Sequence, residues 1–239
     1  LPTSIPRDGS CLMDDTTAQE TLSNVKQLKQ IYQDLSITHK AYKTLEYLVF
    51  SGYELISTSF YPNQNTRVQC KILPDETQPT SIEGTFAVFG SRSSSSTASF
   101  SLWGFPTYMR FDYNAQRKQL NVSYKELLEI DCNKNRATIN SVSSSATSGT
   151  FSGGSQLYIA SNANQASGFC DSNKRDIRRF SGKLYYFKIY DNGTLVRDFV
   201  PVERIFDGSL GLYDRVNSKL YLNSADSGNF SKGPETGYI

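Results

Sequence analysis

Two acidic side chains in the segment ELLEIDCNK are spaced so that they could take part in acid–base chemistry. Glu129 and Asp131 would lie on the same face of a strand, because successive side chains alternate across it. Retaining hydrolysis of a glycosidic bond needs two carboxyl groups about 5 Å apart, one of which protonates the leaving group. The next positions that could supply this acid are Asn133 and Lys134, and neither is a carboxylic acid. The segment therefore predicts a solvated strand face without glycosidase activity.

Other catalytic arrangements lack the residues that they need. A Ser/His/Asp mechanism requires a histidine near the nucleophile, and the single histidine, His39, lies in a helical segment. At that position a contact between subunits is the better interpretation. Gly153 and Gly154 lie in a serine-rich turn that does not open a helix, so they do not form a phosphate-binding loop. The sequence therefore predicts a protein that is not an enzyme.

The cysteines and acidic loops give little support for a metal centre. Four dispersed cysteines form no C-x-x-C pair, which predicts free thiols in a protein assembled in a reducing cytoplasm; they are Cys11, Cys70, Cys132 and Cys170. The segment CDSNKRD offers oxygen ligands for calcium at Asp171, Asn173 and Asp176, but Lys174 and Arg175 compete for them. We expect no cofactor, with calcium at this loop as the alternative.

The segment from Thr17 to about Tyr42 has the pattern of a helix that joins several copies of the chain. It contains neither Pro nor Gly and is rich in Gln, Lys, Glu and Leu. Residues at alternating spacings of three and four form a coiled-coil seam: Val25, Leu28, Tyr32, Leu35, His39 and Tyr42. Two interpretations stay open, a helix packed on its own β domain and a short parallel coiled coil of three copies. We favour the homotrimer.

The stretch from Lys183 onward predicts two consecutive hairpins. Tyr185, Phe187 and Ile189 alternate with Tyr186 and Lys188, which indicates a strand with one buried face. An Asn-Gly pair follows at positions 192–193 and favours a tight type I′ turn.

The return strand should run from Thr194 to about Val200 and end at Pro201, whose nitrogen cannot donate to a ladder. GLYD and KLYL form the second hairpin. More than ten such short strands separated by polar turns predict an all-β sandwich. The serine-rich stretches 93–96 and 141–149 should be exposed loops at its rim.

Composition excludes several classes of protein. The formal net charge is +2, with acidic and basic residues interleaved, so we expect no nucleic-acid partner. No apolar run approaches the ~18 residues that cross a bilayer, so we expect a soluble chain without membrane insertion. No signal peptide is visible at the start of the sequence.

Several motifs in consistent order resemble one family. The C-terminal half carries KIYDNGTLVRDFVP and GLYDRVNSKLYLN, the N-terminal half LEYLVFSGYELISTSFYPNQNTRV, and the middle FAVFGSR, SFSLWG and MRFDY. Together, from about residue 45 to 232, they resemble the concanavalin A-like (laminin G-like) jelly-roll domain of bacteriophage and prophage tail and appendage proteins. The resemblance implies a mainly β chain: a concanavalin A-like jelly-roll β-sandwich with an N-terminal α-helix. We expect an extended leader over 1–16, a helical oligomerisation segment over 17–44 and the jelly roll over 45–239.

The resemblance also implies a function and a site. It suggests a non-enzymatic virion protein of tail-fibre, appendage or head-fibre type, assembled in the bacterial host cytoplasm, which contacts other virion proteins and binds host surface polysaccharide. Aromatic rings hold the apolar faces of sugars, and Trp103, Phe105 and Tyr108 are the best candidates for such a platform. The alternatives are a structural capsid-decoration or tail protein and a secreted bacterial adhesin or lectin module.

Overall fold

The computed structural model describes residues 15–38, 40–93, 98–163 and 170–239. The chain divides into two compact units, an N-terminal helix and a β domain that begins at Tyr42. No helix in these ranges is long and apolar enough to span a membrane. The predicted leader lies almost wholly outside the described residues, as do Cys11 and residues 94–97 of the first serine-rich stretch.

Helix α1 (Asp15–Thr38) presents apolar side chains to solvent in the single chain. Leu22, Val25, Leu28 and Ile31 are all more than half exposed. Thr21 Oγ1 donates a hydrogen bond to the carbonyl oxygen of Thr17 at 2.8 Å, within the first turns. Of the predicted seam, His39 and the side chains of Tyr32 and Leu35 lie outside the described residues. Val25 and Leu28 are therefore the members of the predicted seam whose side chains the structure describes in the helix, and both are exposed.

The prediction that Tyr42 belongs to the helical seam is wrong. The helix ends at Thr38, and Tyr42 is the first residue of strand β1 (Tyr42–Leu45). In this strand Tyr42 pairs with Arg204, and its ring lies 4.7 Å from that of Tyr213. Sheet pairing thus determines the conformation of a segment whose spacing alone continued the helical pattern. The boundary between the helical segment and the β domain accordingly lies before Tyr42 rather than after residue 44.

The β domain is a sandwich of two antiparallel sheets. In the described residues the large sheet contains β1, β2 (Leu48–Ser51), β4 (Thr66–Pro74), β9 (Leu128–Asn133), β10 (Arg136–Ile139), β11 (Val142–Ser145), β13 (Ser181–Asp191), β14 (Thr194–Arg204), β15 (Leu210–Asp214), β16 (Lys219–Tyr221), β17 (Ser231–Lys232) and β18 (Glu235–Tyr238). The small sheet contains β3 (Ile56–Ser57), β5 (Phe86–Arg92), β6 (Ser99–Phe105), β7 (Tyr108–Tyr113), β8 (Gln116–Leu120) and β12 (Tyr158–Ile159). The mainly β sandwich with one N-terminal helix is confirmed.

The order of the strands explains how distant segments meet. The main path of the large sheet is β11-β10-β9-β4-β13-β14-β1-β18, and that of the small sheet is β3-β12-β5-β6-β7-β8. Aromatic side chains from the two sheets pack between them, for example Phe89 of β5 against Phe187 of β13, with ring centroids 5.7 Å apart. The two sheets thus share one hydrophobic core.

A β-bulge changes which side chains of β13 face the core, compared with the prediction. The register with β4 shifts between Leu184 and Tyr186, so Tyr185 is an extra residue on this strand. Leu184 and Phe187 face the core, whereas Tyr185 and Tyr186 are both partly exposed. Strict alternation assigned Tyr185 to the buried face, and the bulge reverses that assignment.

The turn after β13 has the predicted chemistry, but the strand that follows is longer than predicted. Asn192 and Gly193 both have positive φ, 49° and 82°, as a type I′ turn requires. Strand β14 continues through Pro201 to Arg204. Its pairing with β13 ends at Phe199 and its pairing with β1 begins at Val202. Pro201 lies between the part of β14 that pairs with β13 and the part that pairs with β1. On that side of β14 no ladder needs its nitrogen as a donor.

Two other segments also differ from expectation. The sequence predicts a strand over Leu120–Tyr124, whereas strand β8 ends at Leu120. The serine-rich stretch 141–149, predicted as a loop, contains the edge strand β11, in which Val142 pairs with Ile139. Edge strands can be polar on both faces, so serine content alone does not indicate a loop.

Candidate ligand-binding site

The structure places Trp103 in the interior, where it cannot offer its ring to a glycan. The side chain is 2% exposed, and its Nε1 donates a hydrogen bond to Ser101 Oγ at 3.0 Å. The guanidinium carbon of Arg178 lies 4.8 Å from the centre of its ring system, and that of Arg110 lies 5.7 Å away. These side chains cover the indole, so the prediction that Trp103 forms a sugar-binding platform is wrong.

Phe105 and Tyr108 remain at the surface. They are partly exposed at the turn between β6 and β7, and their rings stack with centroids 4.6 Å apart and planes 9° from parallel. The guanidinium carbon of Arg110 lies 4.7 Å from the centre of the Phe105 ring. Because the two rings cover each other, less of their faces is available to a ligand. Their role in binding stays a prediction.

Glu129 and Asp131 lie together on the solvent face of β9, and neighbouring cations hold both. Arg67 donates two hydrogen bonds to Asp131, of 2.8 and 2.6 Å. Lys71 Nζ lies 2.9 Å from Glu129, to which Tyr186 Oη also donates a hydrogen bond of 2.8 Å. Burial, followed by the bond to Glu129, raises the pKa of Tyr186. The arrangement is an ion-paired sheet surface, and the next outward residue of the strand, Asn133, carries no carboxyl group.

The loop considered for calcium is organised around arginine. Asp171 accepts hydrogen bonds from Arg175 Nε at 2.8 Å and Arg179 Nη2 at 2.9 Å, and Asp176 accepts a 2.9 Å bond from Arg178 Nε. These guanidinium groups already neutralise both carboxylates, so the loop does not fit a calcium ion. Among the described residues no group of His, Cys, Asp and Glu side chains has the arrangement of a metal site.

The same loop forms one wall of a cavity of about 400 Å³ at the rim of the sandwich, which we call the rim pocket. Its lining combines apolar, acidic and basic side chains: Gly52, Tyr53, Thr80, Ile82, Asp171, Ile177, Arg179, Asp226 and Ser227. Tyr53 is 48% exposed and Ile177 is 39% exposed. The pocket therefore presents one half-exposed aromatic residue, Tyr53, beside charged groups.

Four separate chain segments position these side chains. Tyr53 follows Gly52 in the turn after β2, and Gly52 has a φ of 92°, a conformation that glycine adopts without strain. Thr80 Oγ1 donates a hydrogen bond to the carbonyl oxygen of Gly52 at 3.0 Å and so fixes this turn. Arg179 Nη1 donates to the carbonyl oxygen of Tyr53, which joins the turn to the arginine-rich loop.

The charged side chains of the rim pocket include a buried one, that of Arg179, and a largely exposed one, that of Asp226. Arg179 is buried, and this burial lowers its pKa although Asp171 lies beside it. The side chain of Asp226 is 74% exposed and lies 3.4 Å from Arg175, so at least one of its oxygens is open to a ligand. A polar ligand could thus pack on Tyr53 and donate hydrogen bonds to Asp226.

Little in the sequence predicts this pocket. Tyr53 lies in a motif that carries the family resemblance, and Asp171 stands out only as a possible metal ligand. Their meeting depends on the path of the chain between positions 52 and 226, and no local pattern encodes it. The one usable signal is Gly52, since glycine is common in turns, where it adopts positive φ without steric cost.

No family model matches the chain, and no curated protein matches it. The solved structures that are similar to it include the mouse laminin alpha1 chain, domains LG4-5, at 13% sequence identity and a TM-score of 0.42. The match covers 64% of this chain and 44% of that one, so the present chain spans less than half of the laminin structure. The assignment of the β domain as a sandwich is based on its own strands and their pairing.

Proposed function

We propose that the β domain is a non-catalytic glycan-binding module and that the rim pocket is its binding site. The observation that carries the proposal is the meeting of the exposed Tyr53 ring with Asp226 in a cavity of about 400 Å³. Aromatic rings stack on the apolar faces of sugars, while carboxylates accept hydrogen bonds from the hydroxyl groups. Arg179 donates hydrogen bonds to Tyr53 and Asp171 and so holds these two walls of the pocket in place. This order in the free protein reduces the conformational entropy that is lost on binding.

The helix supplies the second half of the proposal. Leu22, Val25, Leu28 and Ile31 form an apolar surface exposed in the single chain, and burial of this surface between copies would be favourable. A homotrimer built on it would carry three rim pockets. Single sites of this kind bind weakly, and linking them raises the apparent affinity by about 10²–10⁴.

The setting we propose is a phage particle. A fibre or appendage protein assembled in the bacterial cytoplasm would contact other virion proteins and use its β domains to hold host surface polysaccharide. Multivalent weak binding suits a particle that must first attach reversibly to a cell surface. The resemblance of the sequence motifs to phage tail and appendage domains motivates this setting.

Binding to a panel of purified bacterial surface polysaccharides tests the site. Tyr53→Ala should weaken the binding of a polysaccharide that the unmodified protein retains by tenfold or more, because it removes the stacking surface. Its melting temperature should stay nearly unchanged, since the ring is half exposed. Tyr61→Ala is the matched control, because Tyr61 is 60% exposed but does not line the rim pocket.

Equal loss of binding in both tyrosine variants, or none in Tyr53→Ala, would contradict the assignment of the site. If the unmodified protein binds no polysaccharide in the panel, the glycan-binding proposal fails. A structural role among virion proteins would then be the better reading.

A further inference from the structure

A second, smaller cavity lies on the outer face of the small sheet, at the tip of the β7–β8 hairpin. It measures about 110 Å³, and we call it the arginine notch. Its lining is Arg92, Ser99, Asp112, Asn114, Ala115, Gln116 and Arg117. None of these residues lines the rim pocket. The notch is therefore a separate feature of the molecule.

Strand register brings its charged residues to one place. Asp112 of β7 pairs with Ser101 on one side and with Arg117 of β8 on the other. Arg92 of β5 pairs with Ser99, which lies two residues before Ser101 on β6 and so on the same face. Side chains from four adjacent strands thus converge on the notch.

The notch has more positive than negative charge. Asp112 is nearly buried, and Arg110 holds it with hydrogen bonds of 2.8 and 3.1 Å. Burial raises the pKa of Asp112, although Arg110, Arg117 and Arg92 oppose this effect. Three guanidinium groups therefore surround a single carboxylate.

Arg117 is the exposed member of this group and forms no ion pair with any described residue. Burial lowers the pKa of Arg92, and the positive charges of Arg117, Arg110 and Arg178 lower it further, against the opposing effect of Asp112. Like charges held this close repel one another, and a bound anion would relieve the repulsion. The Ser99 side chain adds a hydroxyl group to the lining.

We propose that the arginine notch binds an acidic group, a carboxylate or a sulfate, carried by a polysaccharide. Guanidinium groups bind both anions through charge-assisted hydrogen bonds, and a cavity of about 110 Å³ admits such a group but not a whole sugar chain. The stacked pair of Phe105 and Tyr108 lies on the same face. Tyr108 is four residues from Asp112 along β7, or about 13 Å at the usual rise of a strand.

A polysaccharide explains this surface better than a nucleic acid does. A duplex or single strand is bound by many cations along its backbone, whereas the notch is a single compact cluster in a chain of net charge +2. The neighbouring aromatic pair offers a surface for uncharged parts of a sugar chain.

The test compares dextran sulfate with uncharged dextran of the same length on the full chain. We expect binding of dextran sulfate that weakens with added salt, and no binding of dextran at this site. Arg117→Gln should weaken binding of dextran sulfate about tenfold, the usual effect of removing one charge-assisted hydrogen bond. Lys125→Gln is the control, because Lys125 is exposed, lies outside the notch and carries the same charge.

The outcomes separate the possible ligands. Polygalacturonate in place of dextran sulfate shows whether carboxylates bind as well as sulfates, and either acidic polymer supports the proposal if Arg117→Gln weakens it selectively. Equal effects of Arg117→Gln and Lys125→Gln, or tighter binding of DNA than of both acidic polymers, would overturn it. Tyr53→Ala should leave this binding unchanged, so failure here and failure of the rim pocket are distinguishable.

Discussion

The indole nitrogen of Trp103 donates a 3.0 Å hydrogen bond to the hydroxyl group of Ser101, two residues earlier on the same strand. Both side chains lie on the outer face of the small sheet, yet both are buried, and the guanidinium group of Arg178 lies over the indole. The only tryptophan of the chain is thus a packing residue on a covered sheet face.

We predict that Trp103→Ala lowers the free energy of unfolding by about 3–5 kcal/mol, because it removes a large buried side chain and leaves a cavity. Trp103→Phe should cost less, since it retains most of the ring. Urea denaturation followed by circular dichroism measures both changes. A stable Trp103→Ala protein that has lost only glycan binding would show that the indole is accessible after all.

The exposed face of α1 leads to a prediction about assembly. Val25→Asp combined with Leu28→Asp should convert a trimer into monomers with folded β domains, because charges cannot be buried at a seam without a partner. Light scattering should report a fall in mass to one third. Ser23→Asp with Gln27→Asp adds the same charge to the opposite side of the helix and should leave the trimer intact. A monomeric unmodified chain would refute the coiled coil.

The ion pairs on β9 lead to a prediction about chemistry. We expect no turnover of β-glucans by the unmodified protein, and Glu129→Gln should leave that result unchanged. The substitution removes a half-exposed ion pair with Lys71, so its cost in stability should be at most about 1 kcal/mol. The measurement is release of reducing sugar. An activity that disappears with Glu129→Gln would mean that a further carboxylate completes the site.

Two buried thiols provide a check on the core. Burial raises the pKa of both Cys70 and Cys132, and the thiolate is the reactive form. In a variant with Cys11→Ser and Cys170→Ser, a thiol reagent at pH 8 should therefore label neither cysteine until the protein is unfolded. Raising the pH to 9 should accelerate labelling far less than it does for an exposed thiol. Rapid labelling of the folded variant would contradict the burial of the inner faces of β4 and β9 in the core.

The sequence predicted local features well where one interaction dominates. The Asn192-Gly193 turn needs positive φ at two positions, and few residues other than this pair provide it. The alternation in TRVQCKI likewise predicts a strand with Val68, Cys70 and Ile72 on one buried face, and these residues are buried in β4, because no irregularity interrupts this strand.

Prediction failed where a distant neighbour decides the outcome. The bulge at Tyr185 depends on how β13 pairs with β4, more than a hundred residues earlier in the chain. The burial of Trp103 depends on a loop that crosses the outer face of its sheet, and spacing within SFSLWG contains no information about it. The rim pocket could not be predicted for the same reason, since its walls come from four segments that only the folded chain brings together.

The backbone groups of Tyr42 and Ile239 exchange two hydrogen bonds, of 3.1 and 2.9 Å. Tyr42, the first residue of β1, and Ile239 are therefore neighbours in space, although they lie far apart in the sequence. A short linker between these two points, with new termini opened in an exposed turn such as 192–193, should give a circular permutant with the same core. The domain could equally be inserted as a cassette into a surface loop of another protein, because its entry and exit points already lie side by side.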